Sequence, residues 1–578
     1  MIRLLISLSN VHRAVVVRPF HLSEPVSRQG NIDMRSILRA MFAIAVAMLA
    51  IGFQPTTASA QSVSTFLGGS GTTSTTQQSW TTAGNWNTAT VPTGTAVWAQ
   101  INSSTSPILR ILYTSATLGS GTSLTVGAIS FLPTLAVSSG STYEIQNNSA
   151  GTKGTLKFYG IDTTIDGTAR RIILDNQTSL SDVNFTQTLA GQDFELYSSG
   201  VINVAAGTQL TLTPLIRDGS GSGTVTKIGR GVLSLTGSST SSTYAGGFSL
   251  EGGIVQWAAS GVSGTNPFGS GPLTLRSGTL RSTTTTGKSI NSNVVLDGSV
   301  TLGSTDPSFN GNITVNSSGG SLATTIASNS IVTIAGGSTA WNQSTSGTGS
   351  LTLAGAGQVR FTSLSTLAHT GSTVVQAGTL NLQGNMTSAS AVSVFSAATL
   401  LGTGTISGAT SILSGGTFSP GAQGGATGVF TFGSGGLSLA GQSLMEVAGV
   451  TRGTQYDGVD ISGPLGYGGT LLLQFSGTLA DNTALELFKG FSSQSGLFSS
   501  ITVAGSYTGS LAESSGVWTG VFGAQTMTFT NSTGNLVVVP EPAVVGLLGS
   551  VGMVVTVAGL RRRRASRQLA SRKRAVEV

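Results

Sequence analysis

Along much of this chain apolar residues alternate with polar ones in short runs, spaced evenly among glycine, serine and threonine. The stretch "SGTVTKIGRGVLSLTGSSTSSTYAGGFSLEGGIVQWA", Ser222 to Ala258, carries the pattern most clearly. Val225, Ile228, Val232, Leu233 and Leu235 form a first pair around Gly229 and Gly231; Phe248 and Leu250 come next; Ile254, Val255 and Trp257 follow Gly252-Gly253. A period of two marks strands with one buried face, and glycine suits turns that need a positive φ. The stretch therefore predicts three short strands.

The pattern returns in "GTGSLTLAGAGQVRFTSLSTLAHTGSTVVQAGTLNLQG", Gly347 to Gly384, where Gly371 precedes Gly378 by seven residues as Gly246 precedes Gly253. Diluted copies follow the same rhythm at Gly269 to Ser282 and Leu400 to Ala422. One such unit cannot bury its apolar face alone, so successive coils must stack. At ~4.8 Å per coil and roughly 20 to 30 residues per coil, the body predicts a rod of about 70 to 110 Å.

Composition narrows the class. The 578 residues include 81 glycines and no cysteine, with 39% hydrophobic and only 8% charged residues. Disorder goes with low hydrophobicity and high net charge, so this chain is expected to fold, and without cysteine no disulfide, Cys-based zinc site or thiol nucleophile is available. The net charge of +7 comes from the two ends, because residues 61–560 hold 14 Lys and Arg against 18 Asp and Glu. A mildly acidic middle without a basic stripe argues against nucleic acid as a partner.

Both ends read as export signals. Residues 34–60 carry Arg35 and Arg39, an apolar run from Ala40 to Phe53, and Ala58-Ser59-Ala60. That order predicts a secretory signal peptide cut before Gln61, with Ala58 and Ala60 as the small residues flanking the cut; the apolar run of 14 is short for a spanning helix. Residues 1–33 are an unusual upstream extension, and Met34 stands as an in-frame alternative start. Near the other end, Ala543 to Leu560 is 18 residues without a charge, followed by Arg561, Arg562, Arg563 and Arg564. This predicts a marginal transmembrane helix whose basic end stays in the cytoplasm.

Two resemblances attach to these residues. Pro540, Glu541 and Pro542, the apolar segment and the arginine cluster together resemble the PEP-CTERM sorting domain of Gram-negative bacteria. That resemblance implies passage through the inner membrane, cleavage by an exosortase-type protease, and association with extracellular polysaccharide. The tail beyond the arginines runs longer than is usual in that family. The glycine-rich units resemble the autotransporter-associated β-strand repeat of bacterial surface proteins, which implies coils of a parallel β-helix. The strongest copy matches through Lys227, Gly229, Gly231, Leu233, Leu235, Gly237, Tyr244, Gly246, Gly247 and Gly253; in the second, His369 stands where Tyr244 does. The segment Ser79 to Ile101, with Trp80, Trp86 and Trp98, resembles the opening of such repeats and reads as a hydrophobic cap, with a sugar-stacking platform as the alternative. The segment Ser443 to Phe475 resembles their closing part.

The chemistry is sparse. Glu446, Arg452, Tyr456, Asp457 and Asp460 are the densest polar group. Two carboxylates can serve as acid and base, but Asp457 and Asp460 lie in a Gly-rich turn, where Asp bonds its own backbone. His369, the only histidine outside the terminal segments, reads as a solvent-facing turn residue. No motif calls for a metal or cofactor.

The expectation is an all-β, elongated right-handed parallel β-helix or solenoid between a signal peptide and one C-terminal transmembrane helix. Its parts are residues 61–221 with the Trp-rich cap, 222–425 with the repeats, 426–537 as a further β region, and 538–578 as the sorting segment. The expected role is structural or adhesive rather than enzymatic. The rival is a β-helical polysaccharide lyase or hydrolase, marked by carboxylates, or a carboxylate with Arg or Lys, gathered in one groove away from turns.

Overall fold

The computed structural model describes residues 61–540 apart from short stretches, the longest being 67–76, 113–122 and 132–141. The predicted signal peptide, with Ala58 and Ala60, and the segment from Glu541 through Pro542 and the arginines at 561–564 lie outside the described residues. Among the described residues no helix is long and apolar enough to cross a membrane.

Between Gln61 and Pro540 the described residues form an all-β, largely parallel solenoid. A typical coil gives one strand to each of three rows. In the first row, parallel pairing runs unbroken from Ser62–Phe66, through Val225–Ile228, to Phe488–Lys489. The second includes Val232–Leu235, Val392–Val394 and Ser493–Gly496. The third includes Ser123–Val126 and Thr155–Phe158 and, from Lys288–Ile290 onward, a continuous series to Ser500–Gly505. About 17 coils at ~4.8 Å each make a stack of roughly 80 Å, inside the expected range.

Coil length varies along the stack. Ser330 pairs with Leu351, Leu351 with Thr373, Thr373 with Val392 and Val392 with Thr410, steps of 21, 22, 19 and 18 residues. Beyond them the steps from Thr410 to Leu437 and on to Leu465 lengthen to 27 and 28. Pairing continues across residues 222 and 425, so the boundaries drawn where the repeat strengthens or fades are not breaks in the fold.

Alternation places the core. In Ile313–Val315 and Thr470–Phe475 every second side chain is buried, and like positions stack into columns. One column runs Ile290, Val315, Trp341, Phe361, Leu382. Fully burying one such side chain stabilises by about 1.5–3 kcal/mol. Where the third row turns into the first, Asn291, Asn316, Asn342 and Thr362 follow the column: Asn316 Nδ2 donates to Asn291 Oδ1 (3.0 Å) and Thr362 Oγ1 to Asn342 Oδ1 (2.8 Å).

The three strands predicted for Ser222 to Ala258 are present, divided differently. Val225–Ile228 and Val232–Leu235 are separate, but Phe248–Trp257 is one strand carried through Gly252-Gly253. Together with Leu273–Ser282 and Val294–Leu302 it runs through the corner between rows one and two, which joins both rows into one 29-stranded sheet. The corner needs glycine: Gly229, Gly253 and Gly278 have φ of 75°, 70° and 111°, and a Cβ on Gly278 would stand 2.6 Å from the Gly253 carbonyl oxygen.

The two sequence copies turn out to be out of phase. Gly246 and Gly253 bracket a first-row segment, whereas Gly371 and Gly378 bracket the second-row strand Thr373–Val375. A short strand between two tight corners gives a spacing of seven on any row, so the spacing alone cannot identify the row.

After Ser500–Gly505 the chain turns antiparallel through Gly509–Ser514, Val517–Phe522, Gln525–Thr530 and Asn535–Pro540, and Thr483–Glu486 pairs beside the last of these. Trp518, Met527, Phe529, Leu536 and Val538 are buried there, and Phe529 packs with Tyr467, Phe488 and Phe498. This sheet closes the carboxyl end of the core.

Candidate functional site

The polar group around Asp457 is a strut between coils. Asp457 is fully buried; its Oδ1 accepts from the Gly428 N–H and its Oδ2 from the Glu446 N–H, each at 2.8 Å. Those donors belong to other segments, so the expected bond to its own turn is replaced by one that ties strands together. Burial pushes Asp457 up to about 7, against the pull of the two N–H groups. Arg452 Nε donates to the Glu486 carbonyl (2.9 Å), its guanidinium lies 2.9 Å from Asp460 Oδ1, and Tyr456 Oη accepts from the Glu486 N–H (3.3 Å). Burial raises Glu446 as well.

His369 is buried, not solvent-facing. Its Nδ1 lies 2.9 Å from Thr345 Oγ1 and its Nε2 2.9 Å from Thr373 Oγ1, and desolvation lowers its pKa. It ends a first-row segment and points inward, where two threonine hydroxyls satisfy both ring nitrogens. Turn-like neighbours hid this, because in a solenoid the residue next to a corner still belongs to the interior.

The tryptophans divide. Trp86 joins the main core, while Trp98 is half-buried, donates from Nε1 to Ser130 Oγ (2.6 Å) and packs, as Ile165 does, against the cluster of Ala128, Ile161 and Ile172. That small cluster sits at the antiparallel hairpin Ile161–Ile165 and Thr168–Asn176, which alternation had not revealed. Trp80 lies outside the described residues.

Lys227 is also interior. It occupies an inward position, paired with Ile202 and Leu250, and is fully buried. Its Nζ donates to the carbonyls of Ile228 (2.7 Å), Gly229 (2.9 Å) and Gly252 (3.2 Å) at the glycine corner. Burial pushes it down to about 7, while the three carbonyls favour the ammonium form.

The cluster that an enzyme would need is best approached at Arg170, Glu251, Arg276 and Asp297. Arg170 Nη1 lies 2.8 Å from Glu251 Oε2, Arg276 Nη1 2.9 Å from Glu251 Oε1, and Arg276 Nε 3.0 Å from Asp297 Oδ2. Glu251, Arg276 and Asp297 form an alternating ladder on successive coils at the turn between rows one and two, and Arg170 reaches it from the antiparallel hairpin three coils earlier, so both Glu251 oxygens are engaged by guanidinium. The buried carboxylates Asp175 and Asp457 lie about twelve coils, roughly 60 Å, apart, too far to flank one substrate bond. Asp175 accepts from Asn203 Nδ2 (2.9 Å) and Gln177 Nε2 (2.6 Å), and burial raises its pKa. Among the described residues no three His, Cys, Asp or Glu gather as metal ligands do.

One surface has a different character. Residues 307–445 contain a single Asp, Glu, Lys or Arg, Arg360. On the second row, Ser277, Ser299 and Ile331 pair in register, and the column continues through Thr352, Val374 and Ser393 and then Ser411, Ser438, Gly466 and Ser495. These positions alternate with buried neighbours such as Val332, Val375, Val394 and Ile412, so they face outward. The low charge was legible in the sequence; the column was not, because it depends on coil lengths.

Of the residues expected at the processing sites, Gln61 and Pro540 are the first and last of the described residues. Gln61 is exposed and its Nε2 donates to the Asp162 carbonyl (2.9 Å), and Pro540 ends the last strand. A scan against protein-family models found no match, and no curated protein matches the chain. The class defined by fold and surface is a parallel β-solenoid with a closed carboxyl end and a long uncharged face.

Proposed function

We propose that the protein is an exported structural or adhesive component of the bacterial cell surface or extracellular polysaccharide matrix. In this reading it is made with a signal peptide removed before Gln61, and passes through the inner membrane held by a C-terminal transmembrane helix. An exosortase-type protease then releases it at the PEP-CTERM signal. The coils are taken as right-handed, the hand of nearly all parallel crossovers.

The observation that carries the proposal is the fit between fold and signals. Among the described residues the all-β stack runs from Ser62, just after the expected cut, to Pro540, the first residue of the Pro-Glu-Pro motif. Intact mass of the chain recovered from membrane, surface and medium tests it. A surface species starting at Gln61 and lacking residues 543–578 is expected; one that retains them overturns the sorting step.

The alternative, a polysaccharide lyase or hydrolase, is favoured by one observation, the Arg170–Glu251–Arg276–Asp297 ladder. Its carboxylates are matched by guanidinium groups, which supports a structural role. Glycan cleavage by the wild-type chain that is lost in Glu251→Gln would reverse that conclusion.

A further inference from the structure

The uncharged column of row two lies on a continuous parallel sheet. Its outward residues alternate for four coils between apolar and hydroxyl side chains, Ile331, Thr352, Val374 and Ser393, and continue with Ser411 and Ser438. Ile331 is 40% exposed, and Phe395, one residue past the row, 43%. At Gly466 a Cβ would stand 3.6 Å from Ser438 Oγ and 3.8 Å from Ser495 Oγ, so hydroxyls of the coils on either side flank a bare glycine.

We propose that this face binds an extended, uncharged polysaccharide, lying along the stack with its sugar units in step with the coils. The inference rests on the reading of the protein as a matrix component and names the ligand class and the surface. An anionic polymer would need cations to neutralise it, and the one cation in residues 307–445, Arg360, belongs to the third-row strand Gln358–Phe361. A sugar ring presents apolar faces and hydroxyl edges, which the alternation of aliphatic and hydroxyl side chains complements. The column repeats at ~4.8 Å, comparable with the length of one ring in an extended chain, so weak contacts add along both polymers. A second copy of this protein fits less well, since it would bury facing hydroxyls without assured partners.

The test uses the full-length chain in mild detergent, sedimented with swollen cellulose as the neutral glycan and with alginate gel as the anionic one. Three variants are compared: Thr352→Glu/Ser393→Glu/Ser411→Glu on row two, the alanine triple at the same positions, and Thr366→Glu/Asn385→Glu/Thr405→Glu on row one. The row-one positions form an equivalent outward column. Wild type and the row-one variant are expected to bind cellulose equally and to keep binding in about 1 M salt, where charge attraction is screened. The row-two glutamate variant should bind about tenfold more weakly or worse, because interrupting the column removes the additive contacts. Unchanged circular dichroism certifies its fold, and the alanine triple, also weakened, replaces it should it not fold.

Absence of cellulose binding by wild type overturns the proposal, as do equal binding by the folded row-two variants, preference for alginate, or side-by-side dimers that the row-two variants dissolve. These results leave the sorting reading untouched, which fails separately if residues 543–578 stay on the surface chain.

Discussion

Residues 61–306 hold 22 charged side chains, eleven of each sign, while residues 307–445 hold one. Both belong to one stack with the same inward alternation. The amino-terminal coils are cross-linked on the outside by ions, as along Arg170, Glu251, Arg276 and Asp297; the later coils use neutral hydrogen bonds, as from Thr362 to Asn342. The difference teaches that the interior holds this fold. Exposed ion pairs contribute about 0–1 kcal/mol each, well below one buried leucine, so surface charge is free to vary with what the surface meets.

The largest effects should therefore be the same in both regions. Leu250 and Leu380 are fully buried in the charged and uncharged coils. Leu250→Ala and Leu380→Ala should each cost about 2–5 kcal/mol, measured by hydrogen exchange of the flanking coils, since a repeat stack need not unfold in one step. A cost well below about 2 kcal/mol at one site with the other inside the range would break the equivalence of the two cores.

Next comes pH, where the regions should part. Lys227 has a folded value of about 7 against an ordinary 10.5. Between those values the unfolded chain holds the extra proton, so stability rises with pH through that window. The gain is at most about 5 kcal/mol, reduced by the three carbonyl bonds to the ammonium. Hydrogen exchange near Lys227 should slow from pH 7 to 10 beyond the chemical rate correction, and Lys227→Met should remove the trend. Near His369 the dependence is on the acid side: its folded value is lowered, so stability falls as the pH drops below its ordinary 6.5. An alkaline trend there instead would contradict the assignment.

The smallest effect sharpens the contrast. Glu251→Gln removes the centre of the charged ladder and should cost about 1 kcal/mol at low salt, fading as salt screens the wild type. Thr362→Ala, which removes the neutral bond to Asn342, should show a similar cost with no dependence on salt. Melting across a salt series distinguishes them; parallel salt curves would erase the difference between the regions.

Which of these features could be read from the sequence follows from their range. Alternation and corner glycines are local, so an all-β stack of coils was legible, as was the emptiness of residues 307–445. Row assignment is not local: it accumulates steps that vary from 18 to 28 residues, which is why Gly371 and Gly378 matched Gly246 and Gly253 in spacing while bracketing another row. His369 read as a surface residue because its neighbours are turn-like, yet its inward place provides the threonine hydroxyls that satisfy both ring nitrogens, as the inward place of Lys227 provides three carbonyls. The inter-coil bonds of Asp457 likewise depend on Gly428, 29 residues away.

The closed carboxyl end has a mechanical consequence. A chain held beyond Pro540 takes tension first through Asn535–Pro540, which is flanked by Gln525–Thr530 over six residue pairs and by Thr483–Glu486 over four. Tension along that strand runs perpendicular to its ladder bonds, so they strain together in shear instead of parting one after another. The cap is thus a grip, able to pass a steady pull into the stack before any coil is peeled from its neighbour.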